Sequence, residues 1–228
     1  MKITAQSVCK EFIRQGRGTN RFVAVKPLDI TIEQGSLTLL MGRSGSGKST
    51  LLNMLAGLLT PTSGKVMYDG DDIYAMDDEK LSRFRNANIG VIPQGQTAIH
   101  SLDVLGNICL SYMICGTGRE LEAAYPAARE LMGRFGIAEL ETARPEELSG
   151  GELRRMAIAR AMLRKPGVIF ADEPTCDLDD ENTELVLGIL KDAARSGAAV
   201  FIVTHERDAV RYADVIYEMN AGEIGRTS

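Results

Sequence analysis

Nine consecutive residues, Gly42-Arg43-Ser44-Gly45-Ser46-Gly47-Lys48-Ser49-Thr50, follow the pattern G-x-x-x-x-G-K-S. Those residue types at that spacing grip phosphate. Gly42, Gly45 and Gly47 let the main chain turn tightly and approach an anion with no Cβ in the way. The N–H groups of the loop and of a following helix N-terminus then face the anion. Lys48 is long enough to reach β- and γ-phosphates, and the Ser49 hydroxyl, with Thr50 beside it, suits Mg²⁺. The implied ligand is a nucleoside triphosphate.

A phosphate grip needs a carboxylate that holds the metal. Val168-Ile169-Phe170-Ala171 reads as a buried strand and runs into Asp172-Glu173. The carboxyl end of a buried parallel strand is where ligands bind in such sheets. Asp172 is placed to hold Mg²⁺, directly or through water, and Glu173 to orient or deprotonate an attacking water. Gln94, ending the segment 89–93, is a candidate to ligate the metal or position water. His205 follows Phe201-Ile202-Val203-Thr204 and is a candidate for contacting the γ-phosphate, although a lone histidine is more often structural. Leu148-Ser149-Gly150-Gly151-Glu152 opens a run of helical spacing over residues 153–163. Ser149 and Glu152 have the S-x-x-E spacing of a capping box, which alone is a reason for the pair. Capping does not need the two glycines between them. They suit a backbone that comes close to something, and a helix N-terminus favours phosphate, so this segment reads as a second phosphate-facing surface.

Hydrophobic spacing predicts the elements that hold these residues. Residues 37–41 read as a short buried strand, and Leu51, Leu52, Met54, Leu55 and Leu58 as one face of a helix. Strands are expected at 3–12 and 22–32 around a polar loop over 14–20, at 65–68 between a 61–64 turn and Asp69-Gly70, and at 89–92. The acidic stretch 69–79 reads as solvated surface. Residues 104–163 are helical in pattern, with breaks near Gly116, Gly136 and Pro145. Segments 168–171 and 198–203 are expected as parallel core strands with a helix over 182–195 between them. A last hairpin joins 215–220 to 223–226. Strands alternating with helices around one helix-rich block point to an α/β core with a helical subdomain.

Composition narrows the class. The 228 residues hold 26 Lys and Arg against 31 Asp and Glu, a net charge of −5. The length suits one domain with subdomains, and the charge disfavours wholesale nucleic-acid binding. No apolar run approaches the roughly 18 residues that span a bilayer. The start, Met1-Lys2-Ile3-Thr4-Ala5-Gln6-Ser7, carries no apolar signal core. Cys9, Cys109, Cys115 and Cys176 form no CxxC pair and no Cys/His cluster, so free thiols in a reducing cytosol are expected and zinc is not.

In this order the elements resemble the nucleotide-binding domain of ATP-binding cassette (ABC) proteins over residues 3–224, and the Leu-Ser-Gly-Gly segment is largely private to that family. The resemblance implies an α/β fold: a P-loop NTPase (RecA-like) core with a parallel sheet, an antiparallel β subdomain and an inserted α-helical subdomain. Residues 1–228 would form one ABC ATPase domain, with the core at about 1–94 and 165–228 and the signature-bearing helical subdomain at about 95–164. It further implies that 42–50 is the Walker A loop, Gln94 the Q-loop glutamine, 148–152 the signature, Asp172 the Walker B aspartate and Glu173 the catalytic glutamate. Residues 176–179, closing on Asp179, would be the D-loop, His205 the switch histidine, and Phe12 the aromatic that stacks on adenine. In this family two cassettes pair head to tail, each ATP lying between the Walker A loop of one and the signature of the other. The implied cofactors are ATP and Mg²⁺. The implied partners are a second copy and a separate transmembrane permease, with no nucleic acid. The implied location is cytoplasmic, on the inner face of the membrane through the permease. The pattern Leu81-x-Arg83-Phe84-Arg85-x-x-x-Ile89-Gly90, with Ala171-Asp172-Glu173-Pro174-Thr175, looks like the branch serving macrolide exporters, lipoprotein-release complexes and peptide-antibiotic resistance systems. Export or extraction of a lipid, peptide or drug follows from that branch.

Several positions depart from the family pattern. Glu152 stands where Gln is commoner, Cys176-Asp177 precede the usual Leu-Asp, Pro93 replaces an aromatic, and Asp103 and Gly106 replace Thr and Glu. The competing functions are a non-transport cassette acting in repair, chromosome handling or translation, and a GTPase or small-molecule kinase. The first typically carries coiled-coil insertions, zinc sites or a second cassette, and the second an N-K-x-D element; this sequence has none of these.

Overall fold

The computed structural model describes residues 1–14, 20–95 and 97–227. In chain order the strands are β1 (Ile3–Arg14), β2 (Asn20–Ile32), β3 (Leu37–Met41), β4 (Ser63–Tyr68), β5 (Asp71–Asp72), β6 (Ile89–Ile92), β7 (Val168–Asp172), β8 (Ala199–Thr204), β9 (Val215–Asn220) and β10 (Glu223–Arg226). The helices are α1 (Lys48–Leu55), α2 (Asp78–Asn88), α3 (Val104–Ile108), α4 (Leu110–Cys115), α5 (Gly118–Arg134), α6 (Gly150–Met162) and α7 (Asp180–Arg195). One sheet is antiparallel, in the order β2-β1-β4-β5. The other runs β10-β9-β3-β8-β7-β6 and is parallel except for β10. This is the expected α/β P-loop architecture.

The larger sheet is a wall between two cores. Strands β7 and β8 are buried at every residue, so they read as apolar runs without alternation. Their side chains still divide with a period of two. Leu37, Leu39, Ile169, Ala171, Val200 and Ile202 join Val104, Ile108, Met132, Met156 and Leu190 of the helices. Leu40, Val168, Phe170, Phe201 and Val203 join Leu51, Leu52 and Leu55 of α1 and Ile3, Val25 and Val66 of the antiparallel sheet. Helices α3, α5 and α6 therefore bury their apolar faces against the sheet. Ala124, Ala128 and Met132 of α5, four residues apart, are the buried stripe of that helix.

Two expectations need correction. Helix α1 stops at Leu55, Gly57 turns the chain at φ 70°, and Leu58 is 52% exposed, off the helical face. Ser63 and Gly64 begin β4 rather than completing a turn. The loop expected over 14–20 lies outside the described residues except at its ends, which belong to β1 and β2. The acidic stretch 69–79 is surface as expected, with Asp69, Asp71, Asp77, Asp78 and Glu79 exposed, and it is also structured: Asp72 caps a short turn that buries Ile73, and Asp77 caps α2 by accepting from the Lys80 N–H at 2.8 Å.

Candidate functional site

Strand β3 feeds the loop 42–47, and α1 starts behind it at Lys48. Gly42, Gly45 and Gly47 have φ of 153°, 78° and 109°, a region that glycine enters at little cost. Their reasons differ. A Cβ on Gly42 would lie 2.3 Å from the Met219 carbonyl oxygen and one on Gly47 2.4 Å from that of Ala24, whereas one on Gly45 meets nothing within 4 Å. Gly42 and Gly47 are thus required by the press of β9 and β2 against the loop. Gly45 alone of the three keeps an open outer side for a ligand. The Lys48 ammonium, buried beneath the loop, donates to the Gly42 and Arg43 carbonyls at 2.7 and 3.2 Å. No side chain caps α1, so its first N–H groups are left for an anion.

Strand β7 ends at Asp172, and Glu173 follows at φ 48°, a sparsely populated region for a glutamate. Three contacts hold it there. Its N–H donates to the Val203 carbonyl at 2.9 Å, its Oε2 accepts from the Thr204 hydroxyl at 2.7 Å, and its Oε1 lies 3.0 Å from His205 Nδ1. Glu173 is only 6% exposed. The hydrogen bond to Glu173, and then its charge, raise the His205 pKa above the usual imidazole value. Burial raises the Asp172 pKa, against a hydrogen bond from Ser49 and the charge of Lys48. Asp172 Oδ1 is buried with no hydrogen-bond partner, as is Ser46 Oγ. An orphaned carboxylate oxygen beside Ser49 fits a hard cation that prefers oxygen ligands. Among the described residues no group of three His, Cys, Asp or Glu could cage a metal. Such a cation would take its other ligands from water or phosphate, the habit of Mg²⁺.

Arg154 in α6 was not among the expected site residues. It is buried and ties three segments together. Its Nε donates to the Pro174 carbonyl at 3.1 Å, its Nη1 to those of Pro93 and Gln94 at 2.5 and 3.2 Å, and its Nη2 to that of Asp172 at 3.2 Å and to that of Glu173.

The space between these groups is a cavity of about 430 Å³, lined by Ser44, Gly45, Gly47, Lys48, Ser49, Thr50, Gln94, Glu173 and His205, with Phe22 and Ala24 on the β2 side. Its size suits a nucleotide. Gly42 and Arg43 line an adjoining groove with His205 and Arg207. Phe12 is not on the cavity wall; Phe22, its partner across the β1–β2 ladder, is. Directly opposed positions share a face of a sheet, so pairing the two strands in register was the signal that could have found Phe22.

Two groups of expected residues lie apart from this cavity. Ser149 caps α6 in a reciprocal capping box with Glu152: the Glu152 N–H donates to Ser149 Oγ at 3.3 Å and the Ser149 N–H to Glu152 Oε2 at 2.7 Å. Ser149 and Gly150 are exposed, with Gly151 next in the first turn. Asp179 caps α7, accepting from the Asn182 N–H and Nδ2 at 2.8 Å each. Asp103 likewise caps α3, accepting from the Gly106 N–H at 2.7 Å, which gives both of those unusual residues a structural reason. A separate cavity of about 510 Å³ beside α5 and α7 contains none of these residues.

A cation, hydroxyls and a fixed glutamate paired with imidazole thus surround one nucleotide-sized space, and an orphaned carboxylate lies behind Ser49 on its wall. Known proteins similar to this chain carry ATP binding in their names. The family described as ABC transporter matches residues 25–176. An uncharacterized ABC transporter ATP-binding protein of Methanocaldococcus jannaschii, MJ1508, is 38% identical over 222 residues, covering 97% of each chain. The lipoprotein-releasing system ATP-binding protein LolD of Geobacter metallireducens is 39% identical over 198 residues, covering 86% of this chain and 87% of that one. The macrolide export ATP-binding/permease protein MacB of Rhodopseudomonas palustris is 39% identical over 207 residues, covering 91% of this chain and 31% of that one. Among solved structures, a dimeric bacterial ABC transporter cassette, MJ0796, superposes with a TM-score of 0.89 at 30% identity, covering 99% of both chains. Its dimeric post-hydrolysis state bound to ADP and Pi superposes with a TM-score of 0.87, again over 99% of both chains.

Proposed function

The chain belongs to the ABC transporter family, and from that premise we propose that it is the ATP-hydrolysing subunit that drives a separate membrane permease. The observation that carries this reading is the buried Glu173, fixed by Thr204 and His205 on the wall of the cavity that Lys48 and the 42–50 loop also line. In this reading the loop amides, Lys48 and Thr50 hold the ATP phosphates. Phe22, with Phe12 beside it on the same face of the sheet, faces the base. Asp172 and Ser49, with Gln94 above them, would hold Mg²⁺, which neutralises phosphate charge when bound. Glu173 orients and deprotonates the attacking water, and His205 reports on and contacts the γ-phosphate.

Ser149 and Gly150, exposed at the start of α6, with the half-buried Gly151 and Glu152 next to them, face the nucleotide of a second copy, and Asp179 lies beside that junction. ATP closes a head-to-tail pair and hydrolysis lets it open. Residues 95–164 act as the moving helical subdomain. They carry α4, which buries none of its residues and exposes Met113 and Ile114, as a face for the permease. No helix among the described residues is long and apolar enough to cross a membrane, which supports attachment through a separate permease. The likeness to LolD and MacB supports export or extraction of a lipid, peptide or drug.

Glu173→Gln keeps the shape of the side chain and removes the base. Phosphate release is expected to fall by about 10²- to 10⁴-fold, the usual worth of a general base. Light scattering with ATP is expected to show a trapped dimer. Unchanged phosphate release, or a monomer at saturating ATP, would overturn the reading.

A further inference from the structure

The reading above leaves open how contact at the start of α6 reaches the groups that handle water and metal. We propose that Arg154 is the positioning residue that passes it on, by holding the backbones of Gln94, Asp172 and Glu173 to the first turns of α6. The inference rests on the ATPase reading and goes beyond it.

Three observations carry the proposal. First, the geometry is convergent. All three guanidinium nitrogens are used, and their five acceptors are main-chain carbonyls of two separate loops, Pro93-Gln94 and Asp172-Glu173-Pro174. Only a planar fork of fixed donors fits such a fan; a lysine ammonium is a point with three donors. Second, the group is buried and forms no salt bridge among the described residues, the carboxylates of Asp172, Asp177 and Glu173 acting on it only from beyond contact. A buried charge without a partner is costly unless its hydrogen bonds are complete, so the fan is what lets the guanidinium stay. Third, the connection is short and stiff. Arg154 lies in the second turn of a helix that begins at Gly150, and the Ser149–Glu152 capping box fixes the start of that helix. A shift of that end moves the guanidinium, and with it the carbonyls next to the Gln94 side chain and the turn at Glu173.

Arg154 does not itself line the cavity and meets Gln94 and Glu173 only through their main-chain carbonyls, so it is a positioning residue and not a catalytic one. Its loss is expected to alter turnover and spare ATP affinity. Arg154→Met keeps the length and removes every donor; Arg154→Lys keeps the charge and removes the fork. In the full-length protein with ATP and Mg²⁺, Arg154→Met is expected to lower kcat by about tenfold or more while KM changes by less than about threefold. The same variant is expected to accumulate the ATP-bound dimer by light scattering where the unsubstituted chain does not. Arg154→Lys is expected to fall between. Far-UV circular dichroism and a thermal melt define the folded fraction of each variant. A loss of kcat that only follows the folded fraction, a matching rise in KM, or full activity of Arg154→Lys would overturn the proposal. If the unsubstituted chain shows no ATP hydrolysis at all, it is the ATPase reading that fails. If it hydrolyses ATP and Arg154→Met does so equally well, only the inference about Arg154 fails.

Discussion

Glu173 and His205 depend on each other. Glu173 sits in a backbone region that few glutamates occupy, and its bonds from Thr204 and His205 offset that strain. In return its carboxylate raises the pKa of a mostly exposed imidazole. Because the folded value exceeds the ordinary value of about 6.5, the pair adds stability that is full below that pH. The contribution is lost as pH rises through the folded value. The chain has only two histidines, His100 and His205, so an NMR titration of the imidazole signals resolves both, with His100→Ala to assign them. The His205 midpoint is expected above the ordinary value in the unsubstituted chain and lower in Glu173→Gln, which leaves a neutral amide at that position. Equal midpoints in the two proteins would count against the pairing.

At the scale of elements, helix starts do much of the organising, because five of them are fixed by a side chain at the turn before the helix. Ser149, Asp179, Asp103, Asp77 and Thr117 all cap helices. Thr117 lies far from any proposed chemistry, so it isolates the worth of a cap. It accepts from the Glu120 N–H at 3.3 Å, while Glu120 Oε2 accepts from the Thr117 N–H at 2.7 Å. Thr117→Ala is expected to cost about 1 kcal/mol, a drop of roughly 2 to 4 °C in Tm for a chain of this size, with ATP turnover unchanged. A melt within a degree of the unsubstituted chain would show that α5 is held by packing alone. The same view explains what was legible beforehand. Strands β7 and β8 stood out because burial on both faces demands uninterrupted apolar runs, and the last hairpin because Ala221-Gly222 breaks two strand-like segments. Helix α2 did not, because it buries none of its own residues and therefore has no apolar stripe to read. Arg154 was hidden for a related reason. A buried arginine that bonds only to main-chain carbonyls has no partner side chain in the sequence, so it looks like surface charge.

The whole molecule is shaped by its shared wall. Because alternate residues of β3, β7 and β8 belong to opposite cores, neither core can melt without stripping one face of the same strands. Helices α3, α5 and α6 share a core with Ile169, Ala171, Val200 and Ile202, so they cannot keep a separate core while the sheet unfolds. One calorimetric transition is expected, with ATP acting on all of it. A ligand that binds only the folded state stabilises it by about 2.7 kcal/mol at 100 times its Kd. At roughly 2 to 4 °C per kcal/mol for a chain of this length, that is a rise of about 5 to 11 °C in Tm. Among the described residues the Lys48 ammonium donates hydrogen bonds only to carbonyls of its own loop, and Lys48 belongs to neither apolar cluster, so Lys48→Ala removes the phosphate grip and leaves both cores intact. That variant is expected to keep a single transition without the ATP-dependent rise. Two resolved transitions would mean that the sheet does not unite the cores. An undiminished rise in Lys48→Ala would mean that ATP is held somewhere other than the loop between β3 and α1.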